Sequence, residues 1–254
     1  VCLKRKMRNR LQAFGNDIFV QMETERTDEY GSLSERFRHT FKDKLDSLSK
    51  VEKGKQVDKI KLKEELALAA CKKWLDVRAF GQVFAIPKGK SQSNDGEEEK
   101  SVSVGVRGPV SIQSAFSLEP VIIESLQITK SVNGQPPEKD VGQKSSDTMG
   151  MKHRVNKAVY VTYGSISPQL AEKTCFSVDD ANAIKHALVS LFEGDESSAR
   201  PSGSIQVLQV VWFTHNCKSG QYSSAKVHNS VKVDRDGNVT IDPLDGLKPE
   251  ILLG

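Results

Sequence analysis

The side chains with the plainest chemistry stand at the front of the chain. The string VCLKRKMRNR carries five basic groups, Lys4, Arg5, Lys6, Arg8 and Arg10, and no acid. Guanidinium forks and ammonium groups at that density suit a repeated anionic charge, such as a phosphate backbone, better than one small substrate. At about 100° per residue, Leu3, Met7, Leu11 and Phe14 fall within one narrow arc, while Arg5, Arg8 and Gln12 point the other way. One face is predicted to dock and the opposite face to hold something anionic. A solvated surface helix is the alternative reading of the same run.

Other strings with chemical overtones lead less far. KGKS, at Lys88 to Ser91, lacks the upstream glycine of a phosphate loop, because Phe84 stands at that position. DRDGN, at Asp234 to Asn238, opens like a calcium loop but has no downstream bidentate Glu, so a hairpin turn explains it better. His215 and Cys217 could share a face at a strand end, yet no third ligand follows, which predicts a structural pair. No nucleophile elbow, zinc-protease pair or dinucleotide fingerprint occurs. The sequence therefore nominates no catalytic residue, no metal ligand and no cofactor.

Composition bounds the remaining classes. The 254 residues suffice for a large core, and 37 basic against 33 acidic side chains leave a formal charge of only +4. An excess that small does not mark a nucleic-acid binder, so clustering at the front has to carry that inference. Cys2, Cys71, Cys175 and Cys217 are dispersed without a C-x-x-C pair, which disfavours a disulfide framework and predicts a reducing, cytoplasmic setting. No apolar run approaches the roughly 18 residues of a membrane span, so no membrane partner is expected. The chain opens at Val1 directly in a helical pattern, and a first strand is expected upstream of it.

These residues need elements to position them. Asp17 to Met22 reads as a short strand, and the stretch from Ser32 as one helix with Leu33, Phe37, Phe41, Leu45 and Leu48 on a face. A third helix carries Ile60, Leu62, Leu66, Ala69, Ala70 and Trp74, with Asp58 as its predicted N-cap. From Val77 the texture turns to strands, in VRAFGQVFAI, SVSVGVRGPVSIQSAF and VIIESLQIT. Residues 87–100 read as a surface loop and 131–150 as a projecting arm. A strand from Ala158 leads into two helices, the second capped by Ser177 with Asp179 and Asp180 in its first turn. SIQVLQVVWFTH reads as a buried strand, and KVHNSVKVDRDGNVTIDPL as a hairpin closed at Asp236-Gly237. Strands and helices mix without regular alternation, which predicts an α+β class.

Four strings in order are more specific than any single motif: VCLKRKMRN, DVRAFG from Asp76, VRGPVSIQSAFSLEPV from Val106, and TMGMKH from Thr148, followed by YGSISPQLAEKTCFS. In that order the chain resembles the repeated backbone subunit of the type I-C CRISPR Cascade surveillance complex, the Csd2/Csh2-like family. The resemblance implies a single elaborated domain over 1–254, a modified RNA-recognition-motif (ferredoxin-like) palm in a right-hand-like shape. Residues 23–76 would be helical fingers and 131–150 a projecting thumb. It also implies copies stacked head to tail along a CRISPR guide RNA that pairs with a target DNA strand, beside a guide-processing subunit and a large subunit. The backbone subunit of such complexes is not an enzyme.

Carried over by position, the resemblance makes Lys4, Arg5, Lys6 and Arg8 the grip on guide phosphates, with Leu3, Met7 and Leu11 seating the helix. Arg78 and Arg107 would add phosphate contacts beside small residues that permit close backbone approach, or else form structural ion pairs. Gln113 and Ser114 would bond the sugar or backbone, or lie on a sheet surface. Met149, Lys152 and His153 would close the arm with an apolar wedge and cations. Two rivals stay open: an RNA-cleaving relative using an aspartate near its front, for which Asp17 and Asp28 are nearest, and an interaction protein with no nucleic-acid role.

Overall fold

A computed structural model describes residues 3–49, 56–86, 102–129, 149–194 and 196–254. The helices are α1 (Leu3–Ala13), α2 (Leu33–Thr40), α3 (Lys42–Ser49), α4 (Gln56–Lys73), α5 (Leu75–Phe80), α6 (Pro168–Thr174), α7 (Val178–Val189) and α8 (Ser224–Ser230). The strands are β1 (Gln82–Ile86), β2 (Val102–Val106), β3 (Val110–Ile112), β4 (Phe116–Ser117), β5 (Ile123–Thr129) and β6 (Met149–Val155). They continue as β7 (Tyr160–Val161), β8 (Gly164–Ile166), β9 (Gln209–Phe213), β10 (Val231–Val233), β11 (Val239–Ile241) and β12 (Pro249–Leu253). All strand pairs among the described residues are antiparallel and two-stranded: β1–β2, β3–β8, β4–β7, β5–β6, β9–β12 and β10–β11. The class is α+β, built on small antiparallel sheets.

The chain divides into two compact units, residues 1–113 with 164–230 and 243–254, and residues 114–163 with 231–242. In the first unit one core gathers Met7 and Leu11 of α1, Leu75 and Ala79 of α5, Val110 of β3, and Ile184 and Ala187 of α7. A second core there is aromatic: Phe19, Phe37 of α2, Trp74 and Phe84 of β1 lie against Leu66 and Ala70 of α4 and Val104 of β2. Phe37 and Phe84 stack at 4.1 Å between centroids, and Phe19 meets Trp74 at 4.6 Å. In the second unit β5 and β6 form a seven-residue ribbon with Ile123 opposite Val155 and Thr129 opposite Met149.

Several elements differ from the sequence reading, each for a local reason. Asp17 to Met22 forms no strand and bends at Phe19 and Val20, whose amides donate to the Asp76 carboxylate instead of to a neighbouring strand. The helix from Ser32 is two helices broken at Phe41, whose φ and ψ of −123° and 31° leave the helical region. The third helix begins at Gln56, so Asp58 lies within it rather than capping it. DVRAFG is helical: Trp74 is extended, α5 begins anew after it, and Gly81 ends it at φ 76°. The segment before the Asp236-Gly237 turn holds α8, leaving a hairpin of β10 and β11 only. Ser177 does cap α7, as part of a capping box with Asp180. The KGKS string, the 87–100 loop and residues 131–148 of the arm lie outside the described residues.

Candidate nucleic-acid interface

Helix α1 is seated by chemistry on both its apolar and its basic sides. Met7 and Leu11 are fully buried and Leu3 packs beside them. Phe14 falls beyond the last helical residue and is 45% exposed, with the Arg10 guanidinium 5.1 Å from its ring; it is not part of the docking face. Arg10 also reaches Ser190 and Glu193 at 3.1 and 2.9 Å. Arg8 does not point into solvent. Its Nε donates at 2.9 Å to Asp76, a carboxylate only 1% exposed that also accepts the Phe19 amide at 2.7 Å and the Val20 amide at 3.1 Å. One buried carboxylate thereby ties α1, α5 and the 18–20 segment together.

The two glycine-bearing strings meet at a corner. A Cβ on Gly108 would collide with the Ala79 carbonyl oxygen and the Gly81 amide, and one on Gly81 would stand 2.7 Å from the Gly108 amide. The expected close approach beside Arg78 and Arg107 is therefore made by DVRAFG against VRGPV themselves. Phe80 lies at this corner, and the Lys4 ammonium and the Arg8 guanidinium sit 5.7 and 5.3 Å from the centroid of its ring. Lys4, Arg8, Phe80 and the backbone beside Arg107 are thus brought together by α1, α5 and the turn between β2 and β3.

The cations differ in how far the fold engages them. Arg5 and Arg107 are exposed and form no ion pair among the described residues. Lys6 is half-buried; burial, with Arg200 and Arg5 nearby, draws its ammonium below its ordinary value against an opposing pull from Glu25. Arg78 is bidentate to Asp180 at 2.8 and 2.7 Å, the structural ion pair that was its alternative reading. Burial pushes the Asp180 carboxyl up, but Arg78 and the Ser177 amide outweigh it and hold the group below its ordinary value.

Gln113 and Ser114 are both exposed, Gln113 closing the first segment of the first unit and Ser114 opening the second unit. Met149, Lys152 and His153 belong to β6 of the second unit and do not share one face. Met149, Met151 and His153 alternate along one side with Ser125 bonded to His153 at 2.8 Å, while Lys152 lies on the other with the Arg154–Glu124 pair. Ile123, Met149, Met151 and Val155 are all exposed on the first side. Sequence reasoning missed Asp76, Asp180 as an ion-pair partner, and Phe80. An acid set in the apolar string Trp-Leu-Asp-Val was the available signal for Asp76.

The aspartates near the front are both engaged. Asp28 is bidentate to Arg36 at 2.6 and 2.8 Å, which holds its carboxyl below the usual value, and Asp17 accepts from Lys73 at 2.9 Å. His215 and Cys217 are not a pair: His215 accepts the Gln221 amide at 3.0 Å, and Cys217 lies 3.7 Å from Ser219. DRDGN is a turn in which Asp234 accepts from the Asp236 and Asn238 amides. Among the described residues no cluster of three metal-ligating side chains occurs, and no helix is long and apolar enough to cross a membrane.

The fold is α+β, with α1 tied down through the buried Arg8–Asp76 pair and the Lys4 and Arg8 cations gathered beside Phe80 at a glycine corner. The sequence profile of the CRISPR-associated protein Cas7 matches residues 1–248, and the chain belongs to that family. Membership makes it a backbone subunit that binds CRISPR RNA within a Cascade-like complex, in association with other subunits of that complex. No curated protein matches it.

Proposed function

We propose that the protein is the guide-holding backbone subunit of a type I-C complex, stacked head to tail along the CRISPR RNA so that the guide can pair with a target DNA strand. The observation that carries this reading is the division of labour on α1 and its corner. Arg8 and Arg78 fix the elements through Asp76 and Asp180, while Lys4, Arg5 and Arg107 are left to meet phosphates. A grip of that kind is independent of base sequence, as a reusable guide holder requires. Lys6 and Gln113 of the first unit add contacts to that RNA strand, and Ser114 of the second unit makes a separate polar contact.

The first unit is the modified RNA-recognition palm with its helical fingers, and the β5–β6 ribbon is the base of the thumb. Exposed Ile123, Met149, Met151 and Val155 on one side of that ribbon support a wedge or docking role, with His153 a polar contact on that side and Lys152 a cation on the opposite one. The neighbours are further copies of this chain, a guide-processing subunit and a large subunit, in the cytoplasm. The protein holds RNA without cutting it, a reading supported by both carboxylate oxygens of Asp28 being held by the Arg36 guanidinium. Co-expression with a CRISPR array and purification tests all of this: RNA of defined length is expected with the protein and stays intact in magnesium. Protein free of RNA, or RNA cut at regular intervals, overturns the reading.

A further inference from the structure

The Tyr30 and His39 rings stack with centroids 4.9 Å apart and planes 26° from parallel. His39 is exposed on α2 and Tyr30 is half-buried in the loop before it, so the pair presents an aromatic face to solvent. The backing is rigid. Arg36, 4% exposed, forks Asp28 and donates to the Phe19 carbonyl and, at 3.0 Å, to Gln21. Asp28 in turn accepts the Tyr30 amide at 3.3 Å, and Arg26 donates to the Tyr30 and Gly31 carbonyls at 3.1 and 3.4 Å. Ser32 accepts the Glu35 amide at 3.2 Å and caps the helix that carries His39. Backbone on both sides of Tyr30 is therefore fixed before anything binds.

The charges nearby narrow the ligand. Arg26 and the exposed Lys42 flank the rings in sequence, but so do the exposed acids Glu29, Glu35 and Asp43. A mixed field of that kind does not track a run of phosphates, yet it leaves a flat π-face on a rigid backing, which is what a single stacked base uses. We propose that His39, backed by Tyr30, is a stacking platform for one unpaired nucleobase of a single-stranded nucleic acid. The inference rests on the nucleic-acid reading above and uses residues distinct from those of the α1 corner. The base comes from the guide RNA or from the target DNA strand, and every base offers the face required.

The test compares complexes carrying the wild-type chain, His39→Ala and His39→Phe. One arm follows displacement of bound guide by labelled competitor RNA; the other titrates guide-loaded complex with complementary single-stranded DNA. His39→Ala is expected to weaken one arm by roughly 5- to 150-fold, the range of base–aromatic stacking. His39→Phe is expected to restore it to within about twofold, since it keeps the π-face. The arm that changes names the source of the base. If His39→Ala matches wild type in both arms while guide is still held, or if Phe fails to restore a loss, this inference alone is overturned. A wild-type chain that carries no RNA overturns it together with the reading it rests on.

Discussion

Replacing Arg8 by Ala should damage the fold before it damages RNA binding. Asp76 is 1% exposed and the Arg8 side chain 15%, so removal leaves a carboxylate in the core with two amide donors and no counter-charge. Breaking a buried ion pair costs about 3–5 kcal/mol. The two amides at 2.7 and 3.1 Å remain, so the lower end, about 3 kcal/mol, is the appropriate figure. For a chain of this length each kcal/mol is about 2–4 °C in Tm, so thermal unfolding by circular dichroism should fall by roughly 6–12 °C. Arg5→Ala, exposed and without an ion pair among the described residues, should stay within about 2 °C, since surface changes fall near 0.5 kcal/mol. Asp76→Asn should behave like Arg8→Ala in direction. An Arg8→Ala protein as stable as wild type would refute the anchoring role and return Arg8 to the set of outward-facing cations.

Gly108→Ala forces a methyl into the Ala79 carbonyl and the Gly81 amide, both backbone, and should cost about 2–4 kcal/mol, read as a lower urea midpoint. Asp28 and Asp180 have folded pKa values held below the unfolded value of about 3.9, so their stabilisation is present above about pH 4 and is lost as pH falls through the folded values. Tm should therefore fall as pH is taken below about 4, and Arg78→Met should flatten that acid limb; an unaltered limb would separate Asp180 from acid stability. Burial, with Cys175 nearby, pushes the Cys71 thiol up to about 11, so mass mapping after thiol labelling at neutral pH should find label on exposed Cys175 and Cys217 and none on Cys71 until denaturant is added.

What could be read from sequence was whatever repeats at short range. The seating of α1 through Met7 and Leu11 follows from helical spacing, and the Ser177 cap from the acids three residues on. The α+β class likewise follows from the mixed texture. Composition misled where one residue resets the backbone: VRAF is β-rich in type, but extended Trp74 and left-handed Gly81 bracket a short helix. Long-range partners left no periodic trace. Asp76 lies 68 positions from Arg8, and Asp180 lies 102 from Arg78, so only folding shows that two of the expected phosphate cations are tied to carboxylates. For the same reason Asp17 to Met22 looked like a strand: its amides do find acceptors, but on a side chain rather than a neighbouring strand.

The most direct measurement is the salt dependence of RNA affinity for a Lys4→Ala, Arg5→Ala, Arg107→Ala triple variant, made on two single-stranded RNAs of unrelated sequence. Three lost phosphate contacts at about 0.7 each should make the slope of log K against log salt shallower by about 2, equally for both RNAs and with Tm preserved. A slope unchanged from wild type, or a loss seen with only one of the two RNAs, would contradict a sequence-blind grip by these cations.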